Sequence, residues 1–400
     1  MFTFTSRRLH RSAESFGEML DGESPMSVGS VLRSAWVVFV MVLSALSVKG
    51  QCLDGNSFVV CPSIDAIYLL NKNSLGAVNL SDGTVKWQVV LPHETDEAYL
   101  GPVRSDNALV LFAGTPLTRA YAFDPESGRL IWRKEASSDE WIGAGPYILF
   151  GDRQHWEAVT ALDDRTGQEI WHHSGRNPGT VNFADLSGRV VLTNLFALDA
   201  YTGEVLKRWP GQWQVSAATF TGRYVAIGTE TGGPSHAKLA VYSLPSFQLL
   251  WTRREHPGAT KDSRERNIAE ITGDAEHLLV ASSGGGMESP GRLRLEWISI
   301  VSGKTLWSRE IAGLGIQFLA PIALNQRLAI VATENLDKSG TVQALDRETG
   351  ALKWTIRVAG QLTSGLVCER EACYAGSVSG EVLRLDVVSK AQTWYGLPRQ

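Results

Sequence analysis

The chain of 400 residues has little cysteine, no excess of basic charge and no apolar run of full membrane-spanning length. Four Cys are too few for a disulfide-dense scaffold, and no two of them are adjacent. Lys and Arg number 38 against 42 Asp and Glu, so there is no cationic surplus to grip a phosphate backbone, and charge-driven nucleic-acid binding is excluded. The sequence contains no HExxH, no GxSxG elbow and no kinase phrases. Gly284-Gly285-Gly286 is not a phosphate cradle, because neither Lys-Ser/Thr nor a helical pattern follows it. No Cys/His set has the spacing of a zinc site, and no metal ligands are assigned.

Two residue types are abundant instead, with 39 Gly and 13 Trp. Glycine is out of place inside helices and trades on left-handed turns. Many tight turns, each with one aromatic anchor, account for both counts.

The amino terminus stands apart. Residues 35–46 form an apolar run of about a dozen residues, short of the roughly 20 a span requires but the length of a secretory signal core. Residues 1–50 therefore read as a leader, either a cleaved signal or an uncleaved anchor, with translation starting at Met1 or Met26. The remainder, 51–400, is expected outside the cytoplasm, periplasmic or secreted. Membrane contact is expected only through the leader. Cys52 lacks the small preceding residue of a lipid-modified cysteine.

One phrase recurs along 51–400: an apolar pair, Asp, turn residues, Gly, and then Trp eight positions after the Asp. It reads ALDDRTGQEIW at 161–171, ALDRETGALKW at 344–354 and AFDPESGRLIW at 122–132. Weaker copies end at Trp87, Trp251, Trp307 and Trp394, and an eighth at 197–207 ends in Lys207 with Trp209 two residues on. The spacing of roughly 40–50 residues is that of a four-stranded propeller blade. The phrase predicts an outer hairpin whose Gly supplies a left-handed turn and whose Trp packs on the neighbouring blade. The expected fold is an all-β, eight-bladed β-propeller, stapled by Trp87, Trp132, Trp171, Trp251, Trp307, Trp354 and Trp394. Phe247 and Lys390 stand at the Gly place in two copies, which predicts differently built turns there. Strands are lettered A to D from the axis outward, and small residues in strand A suit the crowded centre.

Strand direction puts the D–A and B–C connections at one end of the ring, and these are the long ones. They include a charged stretch over 252–267 with Arg253, Arg254 and Arg264. Long loops on one face of a rigid scaffold are where binding sits. The mouths of the A strands add Tyr99, Trp141, Asn182, Gln214, Asn267, Gln317 and Thr363, a polar and aromatic collar suited to a ligand or inserted peptide. The same residues also fit a plain solvated rim. Cys368 and Cys373 bracket a short turn in blade 8 and are expected to form a disulfide outside the cytoplasm, leaving Cys52 and Cys61 as a second pair.

These repeats resemble the tryptophan-bearing repeat of the quinoprotein family, over roughly residues 57–395. That family includes enzymes dependent on pyrroloquinoline quinone and a non-enzymatic lipoprotein of the bacterial outer-membrane assembly machine. The resemblance implies a fold, not an activity. The quinone enzymes carry an adjacent-cysteine disulfide and hold Ca2+ with Glu, Asn and Asp; this chain has no Cys-Cys pair. The non-catalytic relatives are the nearer fit, so a protein or peptide partner in the cell envelope is expected, with no cofactor, for a monomer or a component of a larger complex. The alternative is a small oxidoreductase holding pyrroloquinoline quinone and Ca2+ over the axis, with Glu140, Trp141, Asn182 and Asn267 as the available set. A weaker third reading has Trp156 and Trp213 stacking on sugar rings.

Overall fold

Each copy of the phrase folds as the outer hairpin of a four-stranded antiparallel sheet, and the eight sheets follow one another in chain order. They span 58–90, 99–135, 141–174, 181–208, 214–254, 266–311, 322–358 and 362–395, and together form an eight-bladed β-propeller. A short extra strand, Leu53–Asp54, pairs with the axial edge of blade 1. The computed structural model describes residues 53–398, apart from 55–57, 72, 92–98, 115–116, 136–140, 152–157, 175–180, 185–188, 194–195, 210–213, 231–237, 255–265, 285–291, 312–321, 335–338, 361 and 378. The leader lies outside those residues. Among them no helix is long and apolar enough to cross a membrane.

The turn chemistry follows from the phrase. In blade 3 the carboxylate of Asp163 accepts the backbone N–H of Arg165 and Thr166, at 3.1 and 2.8 Å. Gly167 takes φ +67° and donates its N–H to the Asp163 carbonyl at 2.8 Å. Such short Asx-type turns close one end of the ring. In blade 7 the same carboxylate is also bonded by Lys353 and Thr349, which hold Asp346 down at about 2.

In most blades the tryptophan of the phrase joins the blade to the next. Trp132 donates its indole N–H to the Asp164 carbonyl of the following turn at 2.8 Å, and its ring covers Gly167 so closely that a Cβ there would lie 2.8 Å from it. Glycine is thus required twice at this position, for its backbone angle and for the indole resting on it. Trp87, Trp171, Trp251 and Trp307 make the same bond to Pro125, Ala200, Ile300 and Arg347. Trp354 packs in the core between blades 7 and 8.

Blade 8 departs from the expectation. In blades 1 to 7 the pairing of strands C and D shifts by one residue just before the tryptophan, as between Ala344 and Leu345. Blade 8 has no such bulge, and Trp394 falls opposite Leu383. Side chains alternate along a strand, so losing one bulge residue exchanges the two faces. Trp394 turns back into the core shared with blade 7, and Tyr395 takes the docking role by donating its hydroxyl to the Leu80 carbonyl at 2.8 Å. The expectation that Trp394 joins the next blade is thereby corrected.

The two expected turn exceptions divide. Lys390 adopts the same left-handed angle as the glycines, φ +64°, and donates its N–H to Asp386 at 2.8 Å, so blade 8 keeps the standard turn. In blade 5 the turn contains the cis peptide Leu244-Pro245, and Phe247 points into the core. There Trp209 of blade 4 packs against Tyr242 and Phe247 at 5.2 and 6.2 Å.

Candidate binding face

All eight A strands begin at the same end of the ring, because every blade repeats the same strand order. Tyr99, Trp141 and Gln214 are the first residues of their A strands, and Asn182, Asn267 and Thr363 are second. The backbone therefore brings these six to one rim; Gln317 lies outside the described residues. The D–A and B–C connections emerge at this end, while the A–B and C–D turns occupy the other.

Trp141 is the rim residue whose surroundings are defined. Its indole stacks on Phe112 of blade 2 with ring centroids 4.3 Å apart, and its buried N–H has no partner among the described residues. A buried, unpaired donor is costly and is a natural place for an incoming acceptor. Glu140 beside it is outside the described residues, as are Trp156 and Trp213. No group of three His, Cys, Asp or Glu among the described residues is arranged to hold a metal ion.

The arginines separate by position. Arg253 lies in the outer strand of blade 5, Gln248–Arg254, not in the connection after it. Its guanidinium donates to Glu296 at 2.8 Å and to Thr305 at 2.9 Å in blade 6. Arg294 approaches the other oxygen of Glu296 at 3.0 Å. Glu296 is a buried carboxylate, so Arg253 is held by charge neutralisation between blades. Arg254 ends the strand, and Arg264 lies outside the described residues.

Two polar clusters escaped the sequence reading. Glu270, in strand A of blade 6, accepts the backbone N–H of Ile322 in blade 7 at 3.2 Å, and burial pushes its carboxyl up to about 8. Its only signal was an acid between apolar neighbours, IAEI at 268–271. At the opposite end Asp274 binds Arg347 of the next blade. Arg347 and His277 both lie over the buried Trp297 ring, at 5.3 and 5.0 Å. Trp297 stands at a position where neighbouring phrases have Ala or Val, which was the available clue.

The cysteines are structural. Cys368 and Cys373 are direct partners across the A–B hairpin of blade 8 and form a disulfide with Cα atoms 4.1 Å apart. Cys61 is disulfide-bonded too; Cys52 lies outside the described residues. His172 is exposed on an outer strand and bonds Thr160 at 3.0 Å, while His173 packs edge-on to Phe196.

Solved structures share this ring. BamB from Moraxella catarrhalis aligns with a TM-score of 0.58 at 16% identity, covering 83% of this chain and 94% of its own. The computationally designed Ika8 protein aligns at 0.57 and 16% identity, covering 87% and 98%. Apo AztD from Citrobacter koseri aligns at 0.51 and 11%, covering 84% and 95%. At such identities the likeness shows the fold alone. Among curated proteins none matches the chain. The sequence family described as outer membrane protein assembly factor BamB matches residues 53–141, 71–209 and 291–400. Those segments take in most of the ring, and the chain belongs to that family.

Proposed function

We propose that this protein is an extracytoplasmic, non-catalytic scaffold that binds a protein or extended peptide in the cell envelope. The face we assign is the end where the A strands begin. Residues 1–50 direct the chain there, as a signal or an anchor. The observation that carries the reading is the asymmetry of the ring. One end is sealed by short turns whose polar groups bond one another, as in the Asp163 and Asp346 turns. The other end carries all the longer connections and the Trp141 rim. Membership of the BamB family supports a protein partner over a small substrate. An extended segment could be held at this rim by backbone hydrogen bonds and by contact with the half-buried Trp141.

The test is affinity capture from envelope extracts with the full chain. A second form has 255–265 replaced by a Gly-Ser linker of equal length, and a third carries Trp141→Ala. Loss of a specific partner from either altered form, with circular dichroism unchanged, is the expected result. Equal recovery by all three forms would reject this face.

A further inference from the structure

Seven of the eight joints in the ring are crossed by the chain itself, which keeps their blades together even when side chains part. Among the described residues the joint between blade 8 and blade 1 is crossed by no connection, and no sheet contains strands from both blades. It is held by side-chain contacts alone, those of the inner strands of blade 8, through Tyr374 and Val382, and those of the tail after them. Tyr395 bonds the Leu80 carbonyl, and Gln88 donates its amide N–H to the Pro398 carbonyl at 3.4 Å. Between those bonds, Leu397 sits on Gly76 of blade 1, where a Cβ would lie 2.5 Å from the leucine side chain. Gly76 is the cross-strand partner of Gln88, so both contacts fall on one spot of blade 1. Tyr395 and Leu397 are buried with Phe58, Ile67 and Val78 of blade 1 and with Tyr374 and Val382 of blade 8 in the core of this joint.

The ring of Tyr395 also stands farther from its turn than the docking indoles do. A Cβ on Gly83, the turn glycine it uses, would be 3.9 Å from Tyr395, against 2.5 Å for Gly128 under Trp87 and 2.7 Å for Gly203 under Trp171. At the five joints where an indole rests on a turn glycine it clamps the turn; here the phenol stands off it.

We propose that residues 395–398 are a latch, and that the ring opens at the seam between blades 8 and 1 when Leu397 leaves its seat on Gly76. The glycine is the seat: it leaves room on strand C for a side chain arriving from the neighbouring blade. Among the described residues, opening there breaks side-chain contacts and the Tyr395 and Gln88 hydrogen bonds but no sheet ladder. Local opening of this kind draws on the least stable unit of a fold and leaves the rest intact. The proposal concerns the closing joint and stands whether or not the binding face above is correct.

Hydrogen exchange of the full chain, read by mass spectrometry, tests it with two variants. Leu397→Ala empties the seat, and Gly76→Ala fills it while leaving the tail sequence unchanged. Both are expected to speed exchange on the order of 30-fold in the inner strands of blade 1 (Ala66–Asn71, Ser74–Val78) and blade 8 (Ala372–Ser377, Val382–Asp386), as expected for loss of a buried aliphatic contact. Blades 3 to 6 are expected to exchange as before. A uniform rise around the ring would show that the seam does not open on its own and would overturn the latch. So would unchanged exchange in blades 1 and 8 for both variants.

Discussion

Blades 3 and 4 carry nearly the same phrase and are joined to their successors in opposite ways. Trp171 of blade 3 lies on Gly203 and bonds the Ala200 carbonyl at 2.9 Å. At the equivalent ladder position blade 4 has Lys207, opposite Ala197, and offers no ring. The next turn is altered to match, with Phe247 where the glycine would stand. Trp209, two residues later and on the same face, meets Phe247 and Tyr242 to fill the space. One joint combines an indole, a bare glycine and a hydrogen bond to the turn; the other is aromatic packing. The comparison teaches that donor and acceptor of a joint change together, because an indole cannot sit on a turn that already carries a side chain.

The largest expected break of this comparison is Trp171→Ala, which removes the ring and leaves a cavity over Gly203. Unfolding in urea is expected to show a loss of about 3–5 kcal/mol. Lys207→Ala, at the same position one blade on, is expected to change stability by no more than about 0.5 kcal/mol. Equal costs at the two sites would contradict the distinction.

Glu270 sharpens the picture at the inner edge of the joint between blades 6 and 7. The folded protein retains a proton that the unfolded chain releases near pH 4.5. Stability is therefore fullest below that pH and is lost as pH rises to about 8. Glu270→Gln is expected to flatten that decline and to gain about 2 kcal/mol at pH 8, allowing for partial solvent access. Melting temperatures of both forms between pH 5 and 9 would check it, and parallel curves would refute it.

Smaller effects separate the closing joint from the rest. Tyr395→Phe leaves the Leu80 carbonyl without its hydroxyl partner and is expected to cost about 1 kcal/mol by denaturant unfolding. Lys390→Gly relieves a left-handed backbone angle and is expected to stabilise by about 0.5 kcal/mol. A destabilised glycine variant would mean that the lysine side chain matters more than its backbone.

The repeat was legible because everything it encodes is local. Asp, Gly and Trp act within a few residues of one another, so the eight blades and most of their joints could be read directly. The exception at Trp394 was not legible, since the bulge that aims the other tryptophans leaves no mark in residue type. Arg253 read as loop charge because a strand's end is set by pairing, and its partner Glu296 lies 43 positions away. The rim was legible as strand starts, from direction alone. Glu270 and the Asp274–Arg347 pair were missed because their partners belong to other blades.

Residue order by itself settled the number of blades, the turn type and the face on which most tryptophans lie, since strand alternation and left-handed glycine are properties of short segments. Only the tertiary structure decided that Tyr395 closes the circle, that Leu397 rests on Gly76, and that Glu270 is held beside Ile322. Those contacts join residues far apart along the chain, where closure of the whole ring, and no local preference, determines what meets.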